Sequence, residues 1–142
     1  MNQSLDWVAA AFECVSTNLN CSYSPYSKFK VGSYVQTSSG DGFFGCNIEN
    51  ASYGATMCAE RVAIYKAVSE GCNQLSGILI MADTISPTPP CALCLQVMAE
   101  FCPPDFPIVL ANLQGILCTH RFKDLLTHPF GPSYILHEGL IK

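Results

Sequence analysis

Three cysteines stand at spacings at which their thiolates could share one metal ion. Cys91 and Cys94 form a Cys-x-x-Cys pair directly after Pro90, and Cys58 lies 33 positions before Cys91. Both segments begin predicted helices, where unpaired backbone N–H groups and the helix dipole stabilise a thiolate. Three protein ligands leave the fourth tetrahedral position of a zinc ion open for water, which is typical of a catalytic zinc site.

The Cys91-x-x-Cys94 pair taken alone is also compatible with two roles that involve no metal. A redox disulfide needs a thioredoxin-like surround, and the sequence shows no second feature of that fold. Unpaired cysteines are also common in protein cores. Cys58 favours the metal site over these two roles, because it can supply a third sulfur ligand. A fourth ligand from Cys46, Cys102 or a histidine would close it, but none of these stands at a ligand-like spacing.

Two residues beside Cys58 have side chains that suit such a site. The Glu60 carboxylate can carry protons between a metal-activated water and a substrate, although acidic residues are common in first helical turns for dipole reasons alone. Arg61 can donate hydrogen bonds to ligand sulfurs and offset the net negative charge of three thiolates around Zn²⁺. A solvent-exposed cation is the ordinary alternative for Arg61.

Helical and alternating patterns of apolar residues predict the elements that position these groups. A first helix is capped by Ser4 and begins near Leu5. The full predicted order is a helix at 5–19, strands at 29–35 and 43–47, a helix at 58–70, a strand at 78–82, a helix at 91–101, and strands at 107–111 and 116–121. This order predicts a single domain (1–142) of the α/β class, a three-layer α/β/α sandwich around a mixed five-stranded sheet.

The composition excludes some partners and favours others. A net charge of −4 disfavours nucleic acid, and no apolar run approaches the roughly 18 residues of a membrane span. The absence of a signal peptide and the nine cysteines predict a cytoplasmic protein with reduced thiols. Because only 13% of the 142 residues are charged, we expect part of the surface to be covered by an apolar subunit interface.

Several blocks of sequence closely resemble the small homotetrameric cytidine deaminases. The Cys58-x-Glu60 and Pro90-Cys91-x-x-Cys94 elements match the zinc-deaminase pattern, with cysteine as the first ligand. The resemblance extends over most of the chain, to about Phe130, and includes the blocks Tyr26–Gly32, Gly45–Tyr53, Cys58–Arg61 and Ala67–Gly71.

The resemblance implies a reaction and a cofactor. The reaction is hydrolytic deamination of cytidine and 2′-deoxycytidine to uridine and 2′-deoxyuridine, with release of ammonia, as in pyrimidine salvage. One Zn²⁺ per chain is held by Cys58, Cys91 and Cys94. Glu60 carries a proton first to N3 of the base and then to the leaving amine.

The resemblance also implies the substrate contacts. Phe29 packs against the nucleoside, Asn47 and Glu49 hydrogen-bond the ribose 3′-hydroxyl, and the backbone of Ala59 binds the base carbonyl. Residues two apart on an extended segment do face the same side, which agrees with a shared role for Asn47 and Glu49. A turn-capping role accounts for Asn47 equally well.

Three more residues are implied to act between subunits. Ala51 and Tyr53 match positions that reach the ligand of a neighbouring subunit, and Phe130 matches one that does so from a third subunit. The resemblance therefore implies a homotetramer with shared active sites, which agrees with the low charge content.

The chain departs from the family pattern at three positions near the cysteines. Pro89 stands where Ser or Thr is usual, Leu93 is bulkier than the usual residue, and Leu95 replaces an arginine. Two alternative functions stay open. One is deamination of blasticidin-like antibiotics or of bases within polynucleotides, the latter disfavoured by the low basic content. The other is a non-catalytic zinc protein.

Overall fold

The computed structural model describes residues 6–136 of the chain. Ser4 and Leu5 lie outside the described residues, and the first helix begins at Trp7, with Asp6 at its N-cap position. The described helices and strands are, in chain order, α1 (Trp7–Asn18), β1 (Val31–Thr37), β2 (Gly42–Cys46), α2 (Ala59–Ser69), β3 (Leu75–Ala82), α3 (Ala92–Phe101), β4 (Pro107–Asn112), β5 (Gly115–Arg121) and α4 (Phe122–Leu125).

The five strands form one mixed sheet in the order β2-β1-β3-β4-β5. β1 pairs antiparallel with both β2 and β3, β4 pairs antiparallel with β5, and the central pair β3 and β4 is parallel. The connection between parallel strands must cross over the sheet, and here it carries α3. The prediction of a mixed five-stranded sheet is confirmed.

Alternate residues of β3 point into two separate apolar cores. Ile78 and Ile80 belong to a core that they share with residues of α2 and α3, whereas Leu79 and Met81 belong to a second core with residues of α1. Each core is buried between the sheet and a helical layer, because side chains alternate across a strand. The three-layer α/β/α architecture is therefore confirmed.

Gly45 on β2 lets α2 lie unusually close to the sheet. A Cβ atom at this position would stand 2.5 Å from the Ala59 carbonyl oxygen and 2.4 Å from the Ala63 backbone nitrogen. Only a residue without a side chain fits such an approach. At the other end of α2, Gly71 has a φ of +87°, a left-handed conformation that favours glycine after a helix. This packing places the first turn of α2 against β2.

The structure differs from the sequence-based expectation at several element ends. β1 begins at Val31 rather than at Phe29, because Lys28 has a φ of +59° and the Phe29 N–H donates to Ser27 Oγ instead of to a strand. The short helix α4 and a 3₁₀ turn at Tyr53–Ala55 were not predicted. Within residues 6–136, no helix combines the length and the apolar character needed to cross a membrane.

Candidate metal centre and active site

The thiol groups of Cys58, Cys91 and Cys94 converge where the N-termini of α2 and α3 meet. Cys58 and Cys91 are the N-cap residues of these helices, and Cys94 lies in the first turns of α3. The sulfur atoms are 3.8 Å apart for Cys58 and Cys91, 3.5 Å apart for Cys91 and Cys94, and all within 4.8 Å of one another. The fold thus brings together the three cysteines that the sequence singled out.

The donor set of this cluster fits a zinc ion. Three sulfur atoms at these separations can reach one centre, and thiolate ligands select Zn²⁺ over hard cations such as Mg²⁺. Within residues 6–136 no further Cys, His, Asp or Glu joins the cluster, so the alternative fourth ligands Cys46 and Cys102 lie elsewhere. His137 lies outside the described residues. A set of three protein ligands is the one expected of a catalytic zinc site.

Arg61 supplies positive charge to the cluster. Its Nη2 donates to Cys58 Sγ at 3.3 Å, one turn along α2 from the N-cap. Hydrogen bonds from Cys94 and Arg61, together with the Arg61 charge, lower the pKa of the Cys58 thiol to about 5. Cys58 is thereby held as a thiolate, the form that binds metals. The Nε atom of Arg61 is buried without a hydrogen-bond partner among the described residues.

The Glu60 carboxyl group is buried next to the sulfur cluster. The residue is only 5% exposed, and burial raises its pKa to about 7. Glu60, Cys58 and Cys91 line the same cavity of about 240 Å³. A carboxyl group beside a metal-activated water, in a pocket of this size, can pass protons to and from a small polar substrate.

Asn47 and Glu49 lie on the wall of this cavity, and neighbouring groups hold both side chains in place. Asn47 Oδ1 accepts hydrogen bonds from the Val31 N–H at 2.9 Å and from the Ser22 hydroxyl, and its Nδ2 donates to the Phe29 carbonyl at 2.8 Å. One N–H of the Asn47 amide is then left to donate to a ligand.

The other expected substrate contacts divide into two groups. Phe29 and Ala59 line the cavity. Ala51, Tyr53 and Phe130 do not line it; all three are exposed, Tyr53 to 78% and Phe130 to 59%. These three are the residues for which the resemblance implies contacts between subunits. A single chain does not test such contacts, so their role stays a prediction.

Residues without a predicted role also line the cavity. Ser27, Thr56 and Thr88 contribute hydroxyl groups, and Pro89 forms part of the wall. Ser27 lies within one of the blocks that resemble the family. The sequence around a single serine in a turn does not indicate which residue its hydroxyl contacts. Of the departures from the family pattern, Leu95 is 8% exposed and packs in the core. Its side chain is apolar and brings no positive charge to the sulfur cluster.

Comparison with known proteins agrees with this geometry. Residues 5–110 match the family model described as the cytidine and deoxycytidylate deaminase zinc-binding region. The chain is 49% identical to a cytidine deaminase of Halalkalibacterium halodurans over 108 residues, which cover 76% of this chain and 82% of the relative. It is 45% identical to a probable cytidine deaminase of Dictyostelium discoideum over 118 residues, 82% of this chain and 76% of the relative.

A solved structure shows the same fold. The crystal structure of the cytidine deaminase from Burkholderia pseudomallei superimposes with a TM-score of 0.81 at 40% sequence identity, covering 86% of this chain and 98% of that one. Fold, sulfur cluster and sequence similarity agree, and this chain belongs to the zinc-binding cytidine and deoxycytidylate deaminase family.

Proposed function

We propose that the protein hydrolyses cytidine and 2′-deoxycytidine to uridine and 2′-deoxyuridine, releasing ammonia. The observation that carries this proposal is that Cys58, Cys91 and Glu60 line one and the same cavity. The cavity volume of about 240 Å³ suits a nucleoside better than a polynucleotide, and the net charge of −4 disfavours a polyanionic substrate. The relatives at 49% and 45% identity are named cytidine deaminase and probable cytidine deaminase.

We assign the proton transfers to Glu60. When bound by Cys58, Cys91 and Cys94, zinc supplies a Lewis acid that activates water for attack at C4 of the base. The Glu60 carboxylate takes the proton released in that activation and delivers it to N3. It then takes the proton of the hydroxyl group added at C4 and donates it to the amino group, which leaves as ammonia while the C4 carbonyl forms. Glu60 lies in the first turn of α2, two residues after the Cys58 ligand, which supports this role.

The remaining cavity residues orient the nucleoside in this proposal. The Asn47 amide donates to the ribose 3′-hydroxyl and the Glu49 carboxylate accepts from it, so the pair requires a group that can do both. Phe29 packs against the nucleoside. The backbone N–H of Ala59, in the first turn of α2, is available for the base carbonyl, since the first helical N–H groups have no partner within the helix.

The test of this function is the variant Glu60→Gln. It keeps the size of the side chain and removes the proton carrier, so we expect turnover of cytidine, followed by the loss of its absorbance, to fall at least about 10³-fold. Zinc content should stay at one ion per chain. Glu70→Gln, an exposed change at the far end of α2, is the matched control and should retain full activity.

Two outcomes would contradict the proposal. Absence of cytidine turnover by the zinc-loaded wild-type protein would refute the function directly. Undiminished turnover by Glu60→Gln would refute the role of this residue. Blasticidin-like antibiotics and cytosine-containing oligonucleotides, assayed alongside cytidine, separate the proposed substrates from the alternatives.

We further propose that the protein is a homotetramer with shared active sites, formed from single-domain subunits in the cytoplasm. A larger cavity of about 460 Å³ adjoins the first, shares Ser27 and Glu49 with it, and is lined by the exposed Tyr53. The Phe130 ring stacks on Tyr134 with 5.6 Å between the ring centroids, and Gln96 Nε2 donates to the Phe130 carbonyl at 2.7 Å. These two contacts fix the position of the exposed Phe130 ring. An apolar surface of this kind is typical of an obligate interface.

Subunit mixing tests this arrangement. Phe130→Ala subunits have an intact Glu60, and Glu60→Gln subunits have an intact Phe130. If neighbours complete each active site, mixed tetramers of the two inactive variants regain activity, and native mass measurement shows four chains. A monomeric mass, or full activity of Phe130→Ala alone, would contradict the shared site.

A further inference from the structure

The segment Ser24–Phe29 is folded around the carboxylate of Glu49. The backbone N–H groups of Tyr26 and Ser27 donate to Glu49 Oε2 at 2.9 and 3.2 Å. The Ser27 hydroxyl donates to the other oxygen, Oε1, through a short hydrogen bond. Both carboxylate oxygens are therefore held by a loop that precedes them by more than 20 residues in the sequence.

The direction of the Ser27 hydroxyl is fixed by a second hydrogen bond. The Phe29 N–H donates to Ser27 Oγ at 3.0 Å, and the Lys28 N–H donates to the Ser24 carbonyl at 3.1 Å, closing the turn. The Ser27 oxygen accepts from Phe29, and its hydrogen donates to Glu49, because an ionised carboxylate can only accept. The left-handed φ of +59° at Lys28 is what brings the Phe29 N–H to this position.

Ser27 influences the charge of Glu49 as well as its position. Its hydroxyl makes the largest contribution to a lowered pKa of the Glu49 carboxyl, ahead of the two backbone N–H groups and Lys28. Asn47, the other member of the pair, is held by different groups, namely Val31, Ser22 and Phe29. Loss of the Ser27 hydroxyl thus removes a direct hydrogen bond to Glu49 and none to Asn47.

We propose that Ser27 is a positioning residue for substrate selection, which holds Glu49 so that the cavity favours nucleosides with a ribose 3′-hydroxyl. The inference rests on the proposed deaminase function. Two backbone donors still hold Oε2 when the hydroxyl is removed, so Glu49 becomes mobile rather than displaced. The effect therefore falls on recognition of the hydroxyl, not on the chemistry at the base.

The experiment compares two substrates in the zinc-loaded wild-type protein and in Ser27→Ala. With cytidine, we expect Ser27→Ala to raise KM about tenfold and to change kcat less than about threefold, because one charge-assisted hydrogen bond is lost. With 2′,3′-dideoxycytidine, which lacks the 3′-hydroxyl, kcat/KM of the variant should stay within about twofold of wild type. Ser27→Thr retains a hydroxyl, so its KM for cytidine should be close to the wild-type value.

Matched controls separate this role from a general structural one. Ser69→Ala removes a hydroxyl that donates to the Lys66 carbonyl at the end of α2 and should leave both substrates unaffected. In a Glu49→Gln background, Ser27→Ala should cause little further loss. Equal losses on cytidine and the dideoxy substrate, or additive losses with Glu49→Gln, would overturn the inference. A wild-type protein inactive on cytidine would instead refute the proposed function.

Discussion

The close approach of β2 to α2 at Gly45 allows a prediction whose size follows from the structure. In Gly45→Ala, the new Cβ would stand 2.4 Å from the Ala63 nitrogen and 2.5 Å from the Ala59 carbonyl oxygen, whereas ordinary contacts lie at 3.4–4 Å. The shortfall is about 1 Å. Both neighbours are backbone atoms, so α2 as a whole must move away from β2.

This movement should affect stability and activity together. Overpacking of this kind costs about 1–3 kcal/mol, and we expect the free energy of unfolding, measured in urea, to fall by about 2 kcal/mol. The same displacement shifts the first turn of α2, with Glu60 and the N-cap residue Cys58, relative to the rest of the cavity wall. A misplacement of about 1 Å can lower a rate about 100-fold, so kcat/KM for cytidine should fall by about that factor.

Gly54→Ala is the matched control. Among residues 6–136, apart from Gly54 and its two chain neighbours, no atom lies within 4 Å of a Cβ at Gly54, and its backbone is not in the left-handed region. We expect its unfolding free energy to stay within about 0.5 kcal/mol of wild type. If Gly45→Ala matched this control in both stability and activity, the reasoning from close packing would be wrong.

Three further predictions concern single side chains. Cys94→Ala should reduce zinc from one ion per chain to nearly none by metal analysis, whereas alanine at the exposed Cys21 should not. Arg61→Gln should weaken zinc about 10–100-fold in a chelator competition, because the hydrogen bond to a ligand sulfur is lost; unchanged affinity would argue against that contact. A hydrogen bond from Lys123 lowers the pKa of Asp105, so this carboxylate stabilises the fold above its unfolded pKa and ceases to do so as pH falls through its folded pKa. Asp105→Asn should accordingly be less stable than wild type near neutral pH, with the difference shrinking below about pH 4 and in about 1 M salt; a difference independent of pH would contradict this.

The sequence allowed prediction of those features that depend on local patterns. The helix starts at Cys58 and Cys91 follow from the turn-rich segments before them, and the cysteines then occupy N-cap positions. The apolar run at 78–82, which predicted a strand, is typical of strands buried on both faces, and the two cores show that burial. Periodicity and end signals carry this information because they depend on neighbours in the chain.

Features that depend on distant partners could not be predicted in this way. The left-handed conformation of Lys28, which delays β1 to Val31, arises in a loop that closes around Glu49. Nothing near Ser27 in the sequence indicates that its hydroxyl meets a carboxylate 22 positions later. The position of Phe130 likewise depends on the side chain of Gln96, 34 positions earlier.

Cys58 and Cys91, 33 positions apart, have sulfur atoms 3.8 Å from each other. An ion that binds both of them pins together the ends of a long loop, in the manner of a disulfide. For a loop of this length, such a link lowers the conformational entropy of the unfolded chain by an amount equivalent to about 4 kcal/mol. Metal loading should therefore raise the melting temperature of the protein. The ion required for the chemistry would also stabilise the packing of the two helices that bind it.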